Sequence, residues 1–465
     1  MKAGPTITKK EFARRRADLM SMMAANSIAV VPSARIVARN RDVDYPFRQN
    51  SDFHYLCGFG EPDAVLVLVP GRVHGETLLF CRERDPDLER WHGQITGPER
   101  AMQRYGLDDA FPITDIDDIL PGLIEGKSRL YYGMGANTEF DAQVIGWTKA
   151  LAASQQSGAR PPGEFVHLGQ QVDELRLFKS SQEIKLMRYA ANATAAGHLR
   201  LMTVLAPGLM EFQLEAELNH AFVMAGARTM AYPAIVGAGN NANILHYTGN
   251  NSIVRAGDLV LVDAGAEYEG YAADVTRTLP ASGRYSAAQA DIYNLVLDAQ
   301  LAAIAAVRPG NHWNQPHEAA VRVITTGLVE LGLLQGNVDD LILTEAFKKF
   351  YMHRTGHWLG LDVHDVGEYQ IYNTWRIFEP GMVTTVEPGI YIAADLTDVP
   401  ARYRGIGVRI EDDVLVTRDG HEVLTAMIPK TVAEIESYMC VGGTALAAGE
   451  AAKDAVRYGE SLQAW

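Results

Sequence analysis

Residues 257–278 constrain this chain more than any other stretch, because they read as a β-hairpin that carries two aspartates, Asp263 and Asp274. Two strand-like runs flank a polar segment that contains a glycine. A turn centred between Tyr268 and Glu269 would place the two aspartates directly opposite each other. Opposed side chains on one face of an antiparallel pair have Cβ atoms about 5 Å apart, and like charges there are destabilising.

Three interpretations of the paired aspartates remain open from this stretch. A bound cation removes the conflict between the two charges, so a metal site is the first interpretation. A proton shared by the two carboxylates is the second, because crowding strongly raises one pKa of such a pair. In the third, the register slips by one or two residues, and both aspartates simply flank the turn.

The length and composition predict two globular domains and a tail. A chain of 465 residues is too long for one hydrophobic core, and its 47% hydrophobic and 21% charged residues are typical of globular proteins. Strands alternating with helices predict an α/β N-terminal domain over 1–178. Helices with a mostly antiparallel sheet predict an α+β domain over 179–439. Residues 440–465, which are rich in Ala and Gly, form a predicted C-terminal tail.

Capping and stop signals set the limits of the predicted elements. Serines with Glu or Gln three residues on predict helix starts at Ser180 and Ser286, and a glycine ends another helix near residue 226. The predicted helices cover 9–25, 98–105, 140–153, 181–204, 211–225 and 286–309. The predicted strands cover 27–32, 63–70, 77–82, 129–132, 257–278, 382–387, 390–393 and 406–417.

Charge and cysteine content exclude several classes of partner. A formal net charge of −15 disfavours nucleic acid, whose phosphates are bound by basic patches. A membrane span needs about 20 consecutive apolar residues, and no apolar stretch approaches that length. Charged residues interrupt the N-terminus where a signal peptide needs hydrophobic ones. The three cysteines, Cys57, Cys81 and Cys440, lack metal-ligand spacing. We therefore expect neither nucleic acid nor membrane as a partner, and a cytoplasmic location.

Three further residues extend the candidate metal site. His357 lies before Trp-Leu-Gly, and Glu387 and Glu411 lie within or at the end of apolar strand-like runs. An isolated ionised carboxylate is costly to bury, so such glutamates are normally paired, exposed or bound to a metal. With Asp263 and Asp274 they supply four carboxylates and one imidazole. Such an oxygen-rich set suits divalent ions and can bridge two of them, which would activate a water for hydrolysis.

Other histidines offer alternatives and additions to this set. His353 and His357 have the i, i+4 spacing of a helical zinc motif, but Arg354 replaces the expected glutamate and Gly356 disfavours a helix. His246 and His364 are better candidates for donors to the substrate or the transition state than for metal ligands. Taken singly, each is better explained as a structural histidine, and only the rest of the set favours a functional role.

These motifs resemble those of the metal-dependent aminopeptidase P family. The resemblance rests on the Asp263/Asp274 hairpin, His-Trp-Leu-Gly at His357, Val-Glu-Pro-Gly at Glu387 and Gly-Val-Arg-Ile-Glu-Asp at Glu411, in the family's order over about 180–437. Residues 45–56 also resemble the family's N-terminal accessory domain. The resemblance implies a pita-bread catalytic fold and release of an N-terminal residue that precedes proline.

The resemblance also implies roles for individual residues. Two divalent ions, manganese first and zinc or cobalt as alternatives, would be held by Asp263, Asp274, His357, Glu387 and Glu411, with Glu387 also shuttling a proton. His246 and His364 would steady the substrate and the tetrahedral intermediate, His353 would lie near the proline pocket, and Arg409 would orient the site. Trp91 resembles an aromatic residue lent to a neighbouring subunit. A homotetramer is implied, with a dimer as the alternative.

The implied chemistry agrees with the ligand set. An Xaa-Pro bond is a tertiary amide without an N–H, and a hydroxide that bridges two metal ions could attack its carbonyl without gripping that donor. Prolidase, which cleaves Xaa-Pro dipeptides, is the nearest alternative, and the N-terminal motif favours aminopeptidase P. A non-enzymatic pita-bread binding protein is a further alternative, disfavoured because all five ligand positions are present.

Overall fold

The computed structural model describes residues 4–440, and these residues form two compact units. One unit consists of residues 6–176. The other consists of residues 4–5 and 177–440 within the described part. The division between 176 and 177 lies two residues before the predicted boundary. The predicted tail, apart from Cys440, lies outside the described residues.

The N-terminal unit is built on a mixed six-stranded sheet. The strand order is β6-β5-β4-β1-β7-β8. The pairs β1/β4 and β4/β5 are antiparallel, and the pairs β5/β6, β1/β7 and β7/β8 are parallel. The strands are β1 Ser27–Pro32, β2 Ala38–Asn40, β3 Val43–Asp44, β4 Val65–Leu68, β5 Thr77–Cys81, β6 Asp109–Pro112, β7 Arg129–Tyr131 and β8 Glu164–Val166. The helices are α1 Lys9–Met22, α2 Ser51–Cys57, α3 Pro86–His92, α4 Pro98–Tyr105, α5 Ile116–Ile124, α6 Thr138–Ala153 and α7 Gly169–Leu177.

The C-terminal unit combines long helices with several small antiparallel sheets. Its helices are α8 Ser181–Val204, α9 Glu211–Met224, α10 Ala287–Ala306, α11 Gln315–Glu330 and α12 Val338–Leu343, and 432–440 are also helical. Its strands are β9 Thr229–Met230, β10 Ile235–Ala238, β11 Leu259–Asp263, β12 Ala266–Tyr268, β13 Tyr271–Ala272, β14 Thr276–Pro280, β15 Gln370–Ile371, β16 Thr374–Trp375, β17 Val383–Val386, β18 Gly389–Ile392, β19 Ile406–Arg409, β20 Asp412–Val416 and β21 His421–Val423.

Local sequence signals positioned the helices well. Both predicted capping boxes are present, with the side chains of Ser180 and Ser286 accepting from the backbone N–H groups of Glu183 and Gln289. The helix predicted over 98–105 is confirmed at both ends. By contrast, α11 was not predicted, because its start at Gln315 has no side-chain cap.

The predicted register of the aspartate hairpin is wrong by two residues. Asp263 pairs with Thr276, and the turn lies at Glu269-Gly270, where both residues have positive φ angles of 50° and 82°. Two-residue turns with φ > 0 at both central positions match the twist of the strands that they join. Because side chains alternate with a period of two, Asp274 stays on the same face as Asp263 but is offset diagonally.

The strand predicted over 406–417 is also wrong in one respect. It is broken at residues 410 and 411, so Glu411 lies between β19 and β20 rather than inside a strand. Glu387 directly follows β17, as expected. Both carboxylates therefore lie at ends of strands, and neither interrupts an apolar strand face.

Candidate metal centre and catalytic cavity

A cavity of about 510 Å³ in the C-terminal unit brings nine of the ten predicted site residues together. Its volume is in the range of small-molecule sites. The predicted residues that line it are His246, Asp263, Asp274, His353, His357, His364, Glu387, Arg409 and Glu411. They come from β11, the segment between β13 and β14, the loops around 246 and 353–364, the residue after β17, and the end of β19 with the residues that follow it. Residues far apart in sequence thus line one cavity.

Tyr232 connects the two aspartates. Its hydroxyl lies 2.6 Å from Oδ1 of Asp263 and also contacts Oδ1 of Asp274. Both carboxylates are nearly buried, with 8% and 5% of their residue surfaces exposed. A single hydroxyl proton cannot balance two carboxylates, so other groups must balance the charge of this pair.

Arg409 supplies positive charge on one side of the pair. Its guanidinium donates to Oδ2 of Asp263 at 2.7 Å, to Thr276 Oγ1 at 3.1 Å and to the hydroxyl of Tyr391 at 3.0 Å. Thr276 in turn donates its hydroxyl to Oε2 of Glu411 at 2.7 Å. The arginine therefore fixes Asp263 directly and reaches Glu411 through a threonine.

His357 lies between carboxylates on the other side. Its Nε2 is 3.4 Å from Oδ2 of Asp274 and 3.5 Å from Oε1 of Glu387. Its Nδ1 donates to the carbonyl of Trp358 at 2.9 Å, since a carbonyl can only accept. A backbone partner on one ring nitrogen orients the other nitrogen of a metal-binding histidine toward the site.

The pKa values reveal an excess of negative charge in the cluster. Burial, together with the neighbouring Asp274 and Glu387, raises the pKa of Glu411 well above its ordinary value. Burial raises the pKa of Glu387 to about 7, against the opposing charge of His357. Although burial disfavours the charged imidazole, its hydrogen bond to Asp274 and the charge of Glu387 raise the pKa of His357 to about 9. Extra positive charge would let these carboxylates ionise together.

The donor set fits a divalent cation. One ligand atom from each of Asp274, His357 and Glu411 lies within 4.8 Å of the others. Asp263 and Glu387 approach this group through the contacts of Tyr232 and His357 described above. Carboxylate and imidazole donors suit manganese and zinc.

A chain of hydrogen bonds leads from the aspartates to His353. Tyr391 accepts from Arg409 and contacts Nε2 of His353 at 2.9 Å, while Nδ1 of His353 contacts the carbonyl of Arg354 at 2.7 Å. That carbonyl only accepts, so Nδ1 carries the proton and Nε2 accepts from Tyr391. Residues 353–357 are not helical, so the i, i+4 zinc motif does not form.

His364 and His246 occupy different parts of the cavity wall. The ring of His364 meets that of His357 edge to face, with centroids 4.4 Å apart. Burial and the neighbouring His357 lower the pKa of His364, which favours a neutral ring. His246 is exposed on the loop that follows β10.

The loop of His246 is held by a buried carboxylate on α9. Glu211, with no exposed surface, accepts from the backbone N–H groups of Ala238 and Ser252 at 2.8 Å. It also accepts from the Asn241 side chain at 3.0 Å and the Tyr247 hydroxyl at 2.9 Å. These four donors tie both ends of the loop to one helix.

Trp91 is the predicted residue that the cavity does not include. It lies on α3 in the N-terminal unit, and 83% of its surface is exposed. An indole so exposed has no packing role within its own unit.

Sequence reasoning missed several residues that shape the cavity. Tyr232 sits beside Pro233 in an irregular segment, and no pattern marks it. Tyr391 offered a weak signal, since it lies in the strand after Glu387 on the same face as Gly389. Asp413 accepts from the backbone N–H of Asp274 at 3.2 Å and escaped notice because it follows two other acidic residues.

Family models match both units. The model of metallopeptidase family M24 matches residues 185–418, and the model of the aminopeptidase P N-terminal domain matches residues 12–131. Together they cover most of the described chain. The C-terminal match contains all nine predicted residues that line the cavity.

Individual relatives agree with the family models. The chain is 44% identical to the Xaa-Pro aminopeptidase of Escherichia coli over 434 residues, covering 93% of this chain and 98% of that protein. It superposes on the structure of Pseudomonas aeruginosa aminopeptidase PepP with a TM-score of 0.93 and 57% identity, covering 94% of this chain and 99% of that chain. A zinc-substituted Escherichia coli aminopeptidase P in complex with product gives a TM-score of 0.92 and 44% identity over the same shares.

Proposed function

This chain belongs to metallopeptidase family M24, and from that premise we propose how its own residues divide the work of hydrolysis. It is a metal-dependent Xaa-Pro aminopeptidase, with an α/β N-terminal domain and an α+β catalytic domain of pita-bread type. One observation carries the proposed division of roles: five candidate ligands from four separate motifs line a single cavity.

We propose that Asp263, Asp274, His357, Glu387 and Glu411 hold two divalent ions, manganese in the first instance. Bound ions supply Lewis acidity at the scissile carbonyl and activate the attacking water. The raised pKa values of Glu387 and Glu411 support this assignment, because adjacent positive charge would relieve the crowding of carboxylates. Arg409 orients Asp263 through its 2.7 Å contact and opposes the rise that burial causes in the pKa of this carboxyl.

Glu387 is the proposed proton carrier. The proline nitrogen of an Xaa-Pro bond has no N–H and must gain a proton to leave. Burial raises the pKa of Glu387 to about 7 in the metal-free protein, and a carboxylate in this position can accept a proton from the attacking water and return it to the leaving nitrogen. Glu387 also faces two imidazoles, with its Oε2 3.8 Å from Nδ1 of His353 and its Oε1 3.5 Å from Nε2 of His357.

The three remaining histidines have proposed roles in binding. His364 is held neutral by burial and by His357, so it carries one N–H that can donate to the developing oxyanion. His246, exposed on its loop, faces the substrate. His353 donates and accepts within the chain already, which suits it to pack against the proline ring rather than to transfer a proton.

Assembly and location complete the proposal. The exposed indole of Trp91 supports a homotetramer in which this residue contacts the site of a neighbouring subunit. Unpaired, buried Cys57 and Cys81 agree with a reducing cytoplasm. No helix within residues 4–440 has the length and hydropathy needed to cross a membrane.

Replacing Glu387 by glutamine tests the central role. E387Q cannot carry the proton, and turnover of Ala-Pro-Ala should fall by at least about 100-fold, the lower range for general acid–base catalysis. E217Q is the matched control, because Glu217 pairs with Arg200 on the surface of the same unit. Metal content measured in both variants separates loss of the ions from loss of the proton carrier. Full activity of E387Q would contradict the assignment.

A further inference from the structure

Two arginines line the cavity, and they are in different states. Arg409 is 3% exposed, and its donors are engaged by Asp263, Thr276 and Tyr391. Arg354 is exposed and lines the same cavity. Arg354 is therefore the accessible cation among the described residues that line this space.

The guanidinium of Arg354 is braced on one side. It lies 5.2 Å from the centroid of the Trp375 ring, and one of its terminal N–H groups donates to Oδ1 of Asn314. A guanidinium carries several N–H donors in a planar fork, and the stacking on Trp375 limits its orientation while leaving others of those donors available. A planar fork of this kind matches the geometry of a carboxylate.

Arg354 is the chain neighbour of a residue that contacts the proposed proton donor. Glu387, the proposed proton donor to the proline nitrogen, is 3.8 Å from His353, and Arg354 is the next residue in the chain. All three residues line the cavity, and Arg354 adjoins His353, which faces Glu387. An extended chain advances about 3.5 Å per residue, so a peptide whose proline lies at His353 would bring the following residue toward Arg354.

From these contacts we infer that Arg354 is a specificity-determining residue that binds the free C-terminal carboxylate of short Xaa-Pro-Xaa peptides, one residue beyond proline. The inference rests on the proposed role of Glu387 and names the substrate class of the same site. The acidic cluster would repel a peptide carboxylate, and Arg354 provides an exposed positive charge in the same cavity. Binding at this end acts on the ground state and the transition state alike, and so changes KM rather than kcat.

The test compares Ala-Pro-Ala with its C-terminal amide, which differs only in the carboxylate. In the wild-type protein loaded with manganese, kcat/KM for the acid should exceed that for the amide by about tenfold, the effect of one charge-assisted contact. R354A should remove this preference through KM, so that its kcat/KM values for the acid and the amide become equal. R354K keeps the charge but loses the planar fork, and should retain part of the preference. R322A, which removes an exposed arginine paired with Asp339, should retain all of it.

Each outcome decides between the inference and the function on which it rests. Equal kcat/KM values for acid and amide in the wild type would overturn the role of Arg354 and leave the aminopeptidase activity standing. Retention of the preference by R354A, or an equal loss on both peptides, would overturn it as well. If the wild type cleaves neither peptide, the proposed function itself fails, and the inference fails with it.

Discussion

Lys179 and Asp365 form an ion pair in which each side chain is only 1% exposed, with Nζ 2.9 Å from Oδ2. Asp365 also donates its backbone N–H to the carbonyl of Trp358 at 2.9 Å. The pair therefore holds the loop that carries His357 and His364 in contact with the segment that precedes α8. The arrangement of these two histidines depends on a lysine that never enters the cavity.

Removing the lysine should cost stability. In K179M, Asp365 loses its buried cation, and the free energy of unfolding should fall by about 3–5 kcal/mol. Denaturant titration of the metal-free protein measures the loss. The double variant K179M/D365L should recover part of it, because both charges are then absent. If the K179M protein is as stable as the wild type, the ion pair does not contribute to the free energy of unfolding.

Glu211 should matter for catalysis although it does not touch the cavity. E211Q replaces one acceptor oxygen by an NH₂ group, which opposes two of the four donors that fix the loop of His246. Loss of a hydrogen bond to a charged group costs about 1.5–3 kcal/mol, so kcat/KM should fall at least about tenfold. Hydrogen exchange over 239–252 should become faster in E211Q but not in E217Q. Unchanged exchange together with unchanged kinetics would contradict this prediction.

Acid should destabilise the catalytic unit through His198. Burial lowers the pKa of this histidine to about 4 from an ordinary value of 6.5. The unfolded chain therefore binds a proton that the folded chain excludes, so stability is full above pH 6.5 and declines as the pH falls to about 4. The decline should reach about 3 kcal/mol. H198Q keeps a donor for the carbonyl of Ala264 and should flatten this slope, and parallel pH curves for the two proteins would refute the assignment.

Divalent ions should stabilise the fold through Asp274. Ions that bind only the folded state raise the free energy of unfolding by about 2.7 kcal/mol at 100 times their Kd. Thermal unfolding with increasing manganese or zinc should show this rise in the wild type and in D298N, a control on the exposed face of α10. D274N should lose most of the rise, since an amide is a poorer ligand than a carboxylate. Equal rises in D274N and D298N would remove Asp274 from the ligand set.

The sequence allowed much of the local structure to be predicted, because caps and stops act within a few residues. Ser180 and Ser286 mark their helices by side-chain geometry that needs no tertiary contact. The hairpin register was mispredicted because the polar segment offers two adjacent turn centres, and the choice depends on positive φ angles at Glu269 and Gly270. Composition does not reveal that choice.

The cavity could be predicted only in part. Motifs identified nine residues that line it, but not Tyr232 or Arg354 as parts of the wall. Tyr232 reaches both aspartates from the irregular segment between β9 and β10, and Arg354 lines the cavity from a segment that is not helical. Both positions depend on tertiary packing, which a single sequence does not encode in any short pattern.

Product analysis of metal-stripped protein tests the central claim most directly. The protein is given Ala-Pro-Ala, with and without added manganese, alongside the dipeptide Ala-Pro. The account predicts alanine and Pro-Ala from the tripeptide only when manganese is present. Cleavage of the dipeptide alone would move the assignment to prolidase, and no cleavage of either peptide by the metal-loaded protein would contradict the account.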